Sequence, residues 1–182
     1  MERAVHLVRN PFINLIARFI REREHDRRKD KKFQEEYPML PKKGFQKWCG
    51  MLDDKFTKIE DEVFGDDDKT LRLMRSSICH AEVYKYVQWH NYAFATTAAL
   101  DVPTIVVYYE DFQSKFRETN KKILDFVELP SIVPSYSFPV YHNYTRFFSE
   151  QDRADIRALA KRIATKETWQ HIEHYFFRNA TI

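Results

Sequence analysis

Glycine is nearly missing from this chain: Gly44, Gly50 and Gly65 are the only three in 182 residues. Phosphate cradles of the Walker or dinucleotide-binding type need several glycines close together to turn the backbone around an anion, so no segment here can form one. Cysteine is equally scarce. Cys49 and Cys79 are too few for a disulfide framework and too far apart for a metal knuckle; two free thiols and a single bridge both fit. No apolar run approaches the roughly 18 residues needed to span a bilayer. The first residues read as the charged start of a strand rather than a signal peptide, which predicts a soluble chain with no membrane segment. Charge of one sign is also lacking: 30 basic against 27 acidic side chains leave a net +3, which argues against nucleic acid as a partner.

What is present is enough for one core. At 43% hydrophobic and 15% aromatic content, the chain reads as a single domain over residues 1–182, without internal repeats. Its charge is segregated. Residues 18–32 hold eight Lys/Arg against four Asp/Glu, whereas residues 53–68 hold eight Asp/Glu against two Lys. Such runs ordinarily face water.

Ala4-Val5-His6-Leu7-Val8 is a short run of strand formers that stops at Arg9-Asn10-Pro11. Asn10 is a favoured N-cap, Pro11 suits the first helical position, and Phe12, Leu15, Ile16, Phe19 and Ile20 recur at helical spacing. Two prolines and Gly44 break the chain between Tyr37 and Gly44. A short amphipathic helix is expected from Phe45 to Phe56. After the acidic loop Asp66-Asp67-Asp68, a long helix from about Thr70 to Leu100 is expected to bury Tyr84, Trp89 and Phe94. Thr104-Ile105-Val106-Val107-Tyr108-Tyr109, β-branched and aromatic throughout, reads as a central parallel strand. Helices follow from Phe112 to Val127, Glu150 to Ile163 and Thr168 to Phe177, with a proline-punctuated loop from Leu129 to Pro139. Two strands make a poor sheet alone, so its open edge predicts pairing with other strands or a homodimer.

The chemistry concentrates where the first strand delivers its carboxyl end to a helix N-terminus, the place where open α/β sheets bind ligands and free backbone N–H groups favour anions. Arg9 adds a forked, permanently charged donor. A phosphate fits there. Equally, Arg9 can pair with an acidic side chain while Asn10 only caps the helix.

Arg9-Asn10-Pro11-Phe12-Ile13-Asn14-Leu15-Ile16-Ala17-Arg18-Phe19 resembles the 3′-phosphate-binding motif of sulfotransferases, which take a sulfonate group from 3′-phosphoadenosine-5′-phosphosulfate. Arg9 matches the phosphate-binding arginine. The family's Asp position holds Ile13 and its Ser position Ala17, with Arg18 next in line to compensate. Val106-Val107-Tyr108-Tyr109-Glu110-Asp111-Phe112 is similar to the family's strand and Tyr-Glu-Asp-Leu element, whose tyrosine approaches the adenine. The segments ending at Leu129-Pro130 and running from Asn143 to Glu150 also follow the family order.

The resemblance implies an α/β fold with an incomplete P-loop-NTPase-like parallel sheet, two recognisable strands flanked by several helices, forming the C-terminal portion of the family domain. It implies 3′-phosphoadenosine-5′-phosphosulfate as co-substrate, no metal, and a hydroxyl-bearing acceptor such as a carbohydrate. Cofactor binding falls to Arg9, Asn10, Arg18 and Tyr109. The family's 5′-phosphosulfate loop and catalytic base would precede Met1, so residues 1–182 alone are expected to be inactive. The location implied is the Golgi lumen if the gene encodes an N-terminal anchor, and the cytoplasm otherwise. A rival reading is a non-catalytic module that binds an anionic partner through residues 18–32. His80, His90, His171 and His174 fall on expected helices and are read as surface or core side chains, and neither they nor His142 is read as the base. The His171–His174 pair is read as a surface pair without a third metal ligand.

Overall fold

The computed structural model describes residues 3–132 and 146–177. The second half of the proline-rich loop and His142 lie outside the described residues. Strand β1 (Ala4–Val8) leads into α1 (Pro11–Arg21), a π turn (Glu22–Asp26) and α2 (Lys31–Glu36). A second π turn (Pro41–Gln46) opens α3 (Lys47–Phe64), and α4 (Asp68–Ser76) and α5 (His80–Ala99) precede β2 (Thr104–Tyr108). After it come α6 (Asp111–Ser114), α7 (Phe116–Val127), α8 (Glu150–Ile163), α9 (Lys166–Ile172) and a closing 3₁₀ turn (Glu173–Phe176).

β1 and β2 run parallel, with Ala4 opposite Thr104 and Val8 opposite Tyr108. Ala4 N donates to Pro103 O at 2.9 Å and Tyr109 N to Val8 O at 2.8 Å. Alternation decides which face is covered: His6 and Val8 are buried, while Val5 and Leu7 stay 37% and 43% exposed. The expected α/β class is therefore present in coarse form, a mostly helical domain on a two-stranded parallel sheet. β2 is not the central strand that its two-sided apolar run predicts, because among the described residues its one strand neighbour is β1.

Aromatic residues bind α1 to the rest of the core. Phe12 and Phe19 on its inner stripe are fully buried. Phe12 meets Phe148 edge-on at 5.2 Å, and Phe19 meets Phe45 at 5.8 Å and Trp48 at 5.5 Å. Gly44 is required where the second π turn passes Pro38, since a Cβ there would stand 1.6 Å from the Pro38 carbonyl oxygen.

The helix expected over residues 70–100 is two helices. Ser77, Ile78 and Cys79 interrupt it, and Cys79 takes a left-handed backbone (φ 58°) at the start of α5. That conformation costs a non-glycine residue of order 1 kcal/mol. It is held from both sides: Cys79 is bonded to Cys49 of α3, and the Asp53 carboxylate accepts from Ala81 N at 3.0 Å. The cysteine pair is thus a single bridge. α3 also runs two turns beyond its expected end at Phe56, to Phe64. α5 does bury Phe94, but Trp89 faces outward and is 58% exposed.

Candidate anion site at the end of β1

The five residues of β1 carry the chain directly to Arg9, beyond the last strand pair and before the first turn of α1. Two elements hold it there. The Tyr86 hydroxyl of α5 donates to the Arg9 carbonyl at 2.6 Å, and the Arg9 guanidinium lies over the Tyr109 ring, 4.3 Å from its centre. Stacking fixes the plane of the fork and leaves its edge to hydrogen-bond elsewhere. Arg9 Nε is buried and has no hydrogen-bond partner among the described residues. The sequence-level alternative, Arg9 paired with an acidic side chain, is not found among the described ion pairs.

The helix N-terminus behaves differently from the expectation. Pro11 has no N–H, Phe12 N and Ile13 N donate to Asn10 Oδ1 at 2.9 and 3.3 Å, and Asn14 N donates to Asn10 O at 2.9 Å. Asn10 therefore consumes the amides that would otherwise attract an anion. Its own N–H donates to Glu110 Oε1 at 2.9 Å, and the Tyr175 hydroxyl donates to Glu110 Oε2 at 2.6 Å. Burial, with Glu110 beside it, pushes the Tyr175 phenol up, so it remains a donor. Glu110 is the pin that joins β2, α1 and the C-terminal turn. The Tyr-Glu-Asp resemblance located it without indicating this role.

Leu7, Arg9, Asn14, Tyr86, Trp89 and His90 line a surface cleft of about 220 Å³. Pockets that enclose a drug-sized ligand run to roughly 300–1,000 Å³, so this one takes a single group of a larger molecule. His90 is 3% exposed, and its Nδ1, like Arg9 Nε, is buried without a partner. Burial, reinforced by His6 and His171, pushes its imidazole down to about 4. It is neutral at ordinary pH.

Of the residues named from sequence, the structure brings Arg9, Asn10 and Tyr109 together and turns Arg18 elsewhere. Arg18 lies about two turns along α1 from Asn10, and its Nε is 3.1 Å from Glu82 Oε2, a carboxylate 5% exposed on α5. The rest of the basic segment is paired within itself in part. Arg21 faces Asp26, Arg23 faces Glu24 and Arg27 faces Asp30, which leaves Arg28, Lys29, Lys31 and Lys32 as its exposed cations without an ion pair among the described residues.

Two further polar groupings sit away from the cleft. His171 is partly buried: its ring stacks on Phe94 at 5.0 Å, and its Nδ1 stands 3.2 Å from the Tyr108 hydroxyl. Between α3 and α5, His80 Nε2 is 2.8 Å from Glu60 Oε1 and its Nδ1 is 3.6 Å from Asp53 Oδ2. Glu60 is wholly buried, so that trio ties helices together and meets no substrate. Among the described residues no cluster of three or more His, Cys, Asp or Glu could hold a metal ion, and no helix is long and apolar enough to cross a membrane.

No protein-family profile, curated protein or solved structure matches this chain. Its functional reading rests on the residues themselves.

Proposed function

We propose that this chain is a sulfotransferase-family protein in which Arg9 binds the 3′-phosphate of 3′-phosphoadenosine-5′-phosphosulfate, on an incomplete P-loop-NTPase-like sheet. One observation carries the reading. At the carboxyl end of a parallel strand, a guanidinium clamped on an aromatic ring keeps its Nε buried and unmatched, and an unpaired buried donor is tolerated where a ligand supplies the acceptor. The nucleotide supplies the transferable sulfonate. Arg9 binds and orients it, Tyr109 supports the guanidinium, Tyr86 fixes the Arg9 backbone, and Asn10 with Glu110 sets the entry of α1. The acceptor is a hydroxyl-bearing molecule, with a carbohydrate as the leading class. Since Asn10 consumes the helix amides, the phosphate is held by side chains rather than by the helix N-terminus.

The test is calorimetric titration with adenosine 3′,5′-bisphosphate. Arg9→Ala is expected to weaken binding by about 1.5–3 kcal/mol, the range for a hydrogen bond to a charged group. Equal affinity in the wild type and the variant removes Arg9 from the site and the reading with it.

A further inference from the structure

The anion reading uses Arg9 and leaves without a purpose a second buried nitrogen that lacks a partner among the described residues, Nδ1 of His90, a residue that lines the same cleft. Its ring cannot easily turn away. Tyr86 lies edge-on at 4.7 Å, Trp89 edge-on at 5.0 Å and Phe94 stacked at 6.4 Å. A neutral imidazole has one nitrogen that donates and one that accepts, and a buried ring nitrogen left unpaired is destabilising. Because burial keeps His90 neutral, it offers a directed hydrogen bond and adds no second positive charge beside Arg9. Two different demands therefore meet in a cleft of about 220 Å³: an anion for Arg9 and a neutral hydrogen-bonding group for His90. Within so small a volume both groups must belong to neighbouring positions of one ligand. A phosphate monoester with a hydroxyl on the adjacent carbon meets both.

We propose that His90 is a specificity-determining residue that hydrogen-bonds the ribose 2′-hydroxyl next to the 3′-phosphate held by Arg9, so that the cleft selects ribonucleoside 3′-phosphates over their 2′-deoxy counterparts. This rests on the reading of Arg9 as the phosphate contact and adds to it the sugar that the site distinguishes. Asn14 and the exposed Trp89 also line the cleft.

The experiment compares adenosine 3′,5′-bisphosphate with 2′-deoxyadenosine 3′,5′-bisphosphate by calorimetry. The full chain is used as wild type, His90→Phe, His90→Gln and Arg9→Ala. The wild type is expected to prefer the ribonucleotide about two- to tenfold, the worth of one neutral hydrogen bond. His90→Phe should bind both nucleotides at the deoxy level, and His90→Gln, which keeps a hydrogen-bonding group, should retain part of the preference. The wild-type comparison stands even if a variant fails to fold. Equal wild-type affinities together with a loss on Arg9→Ala overturn the role of His90 and leave the phosphate reading intact. A preference that persists in His90→Phe also overturns it. Absence of binding by either nucleotide overturns both.

Discussion

At the junction of α3 and α5, Glu60 and His80 are 0% and 6% exposed, buried as deeply as His90 at the end of β1, which is 3% exposed. Both places hold buried atoms without a hydrogen-bond partner, Glu60 Oε2 and His80 Nε2 in one and Arg9 Nε and His90 Nδ1 in the other, but they differ in how charge is paired. In the junction the imidazole of His80 lies between the carboxylates of Glu60 and Asp53, Glu60 also faces Arg75 at 3.9 Å, and the Cys49–Cys79 bridge closes over the same turn. At the end of β1, Arg9 and His90 line the cleft, and Arg9 Nε and His90 Nδ1 are buried without a hydrogen-bond partner among the described residues. Buried polar groups are normally satisfied within a protein. The difference is one of charge: the junction answers its buried ionisable groups with opposite charges inside the chain, whereas no ion pair among the described residues answers Arg9, and on the proposed function that vacancy is where the anion binds.

The sharpest way to break that comparison is to remove one member from each side. Glu60→Ala takes a carboxylate from a buried cluster, and such deletions destabilise by about 3–5 kcal/mol because the remaining group is left uncompensated. Arg9→Ala loses a cation–ring contact worth about 0.5–2 kcal/mol to folding. Urea denaturation of both variants measures the contrast. A Glu60→Ala loss no larger than that of Arg9→Ala would show that the junction is not the structural cluster described.

Acid separates the two regions by sign. His90 is pushed down to about 4 and His6 is also lowered, chiefly by burial, so between pH 6.5 and about 4 the unfolded chain binds protons that the folded chain refuses. Stability therefore falls as pH falls through that window. His90 alone accounts for about 3 kcal/mol at its lower end, at 1.36 kcal/mol per pH unit. Asp53 works the other way: burial raises its carboxyl, and protonation relieves a burial penalty as pH drops. Urea denaturation across pH 4–7 is expected to show a net loss on acidification that is flattened in His90→Gln. An identical slope in that variant would mean that His90 does not carry the acid sensitivity.

Much of the β1 end was legible because local chemistry dictates it. Asn10 before Pro11, and apolar residues at helical spacing from Phe12 to Phe19, fix α1 whatever surrounds it, and the Glu150–Ile163 helix was bounded to the residue. The junction was not legible. Apolar periodicity runs unbroken through residues 77–79, with no glycine or proline to signal a stop. What breaks the helix is tertiary, a bridge from α3 and a carboxylate from Asp53 that no local window contains. Trp89 was misplaced for a related reason: a tryptophan at core spacing reads as buried unless the missing cover is known. The second half of the site, Tyr86 and His90, was hidden because both lie on α5, more than 70 residues from Arg9 in sequence. A polar residue amid apolar ones at helical spacing was the available signal.

The smallest expected effect probes how far the anion site extends along α1. Asn10, Asn14 and Ala17 fall on one face at spacings of four and three residues, and Asn14 already lines the cleft. Ala17 stands one turn beyond it, a rise of about 4.5 Å, on a half-buried stretch of the helix. Arg18, the neighbour that might have supplied a donor there, is held by Glu82 on its Nε. Ala17→Ser therefore adds a hydroxyl where the sulfotransferase motif carries one. The gain in affinity for adenosine 3′,5′-bisphosphate is expected to be about 0.5–1 kcal/mol, the lower part of the range for a neutral hydrogen bond. Serine costs the helix about 0.5 kcal/mol in propensity, so folding stability and affinity should move in opposite directions in the same variant. Calorimetry and urea denaturation on one preparation read both. A loss of stability with no gain in affinity would mean that the phosphate stops at Arg9 and Asn14, and that the motif alignment fails beyond the first turn of α1.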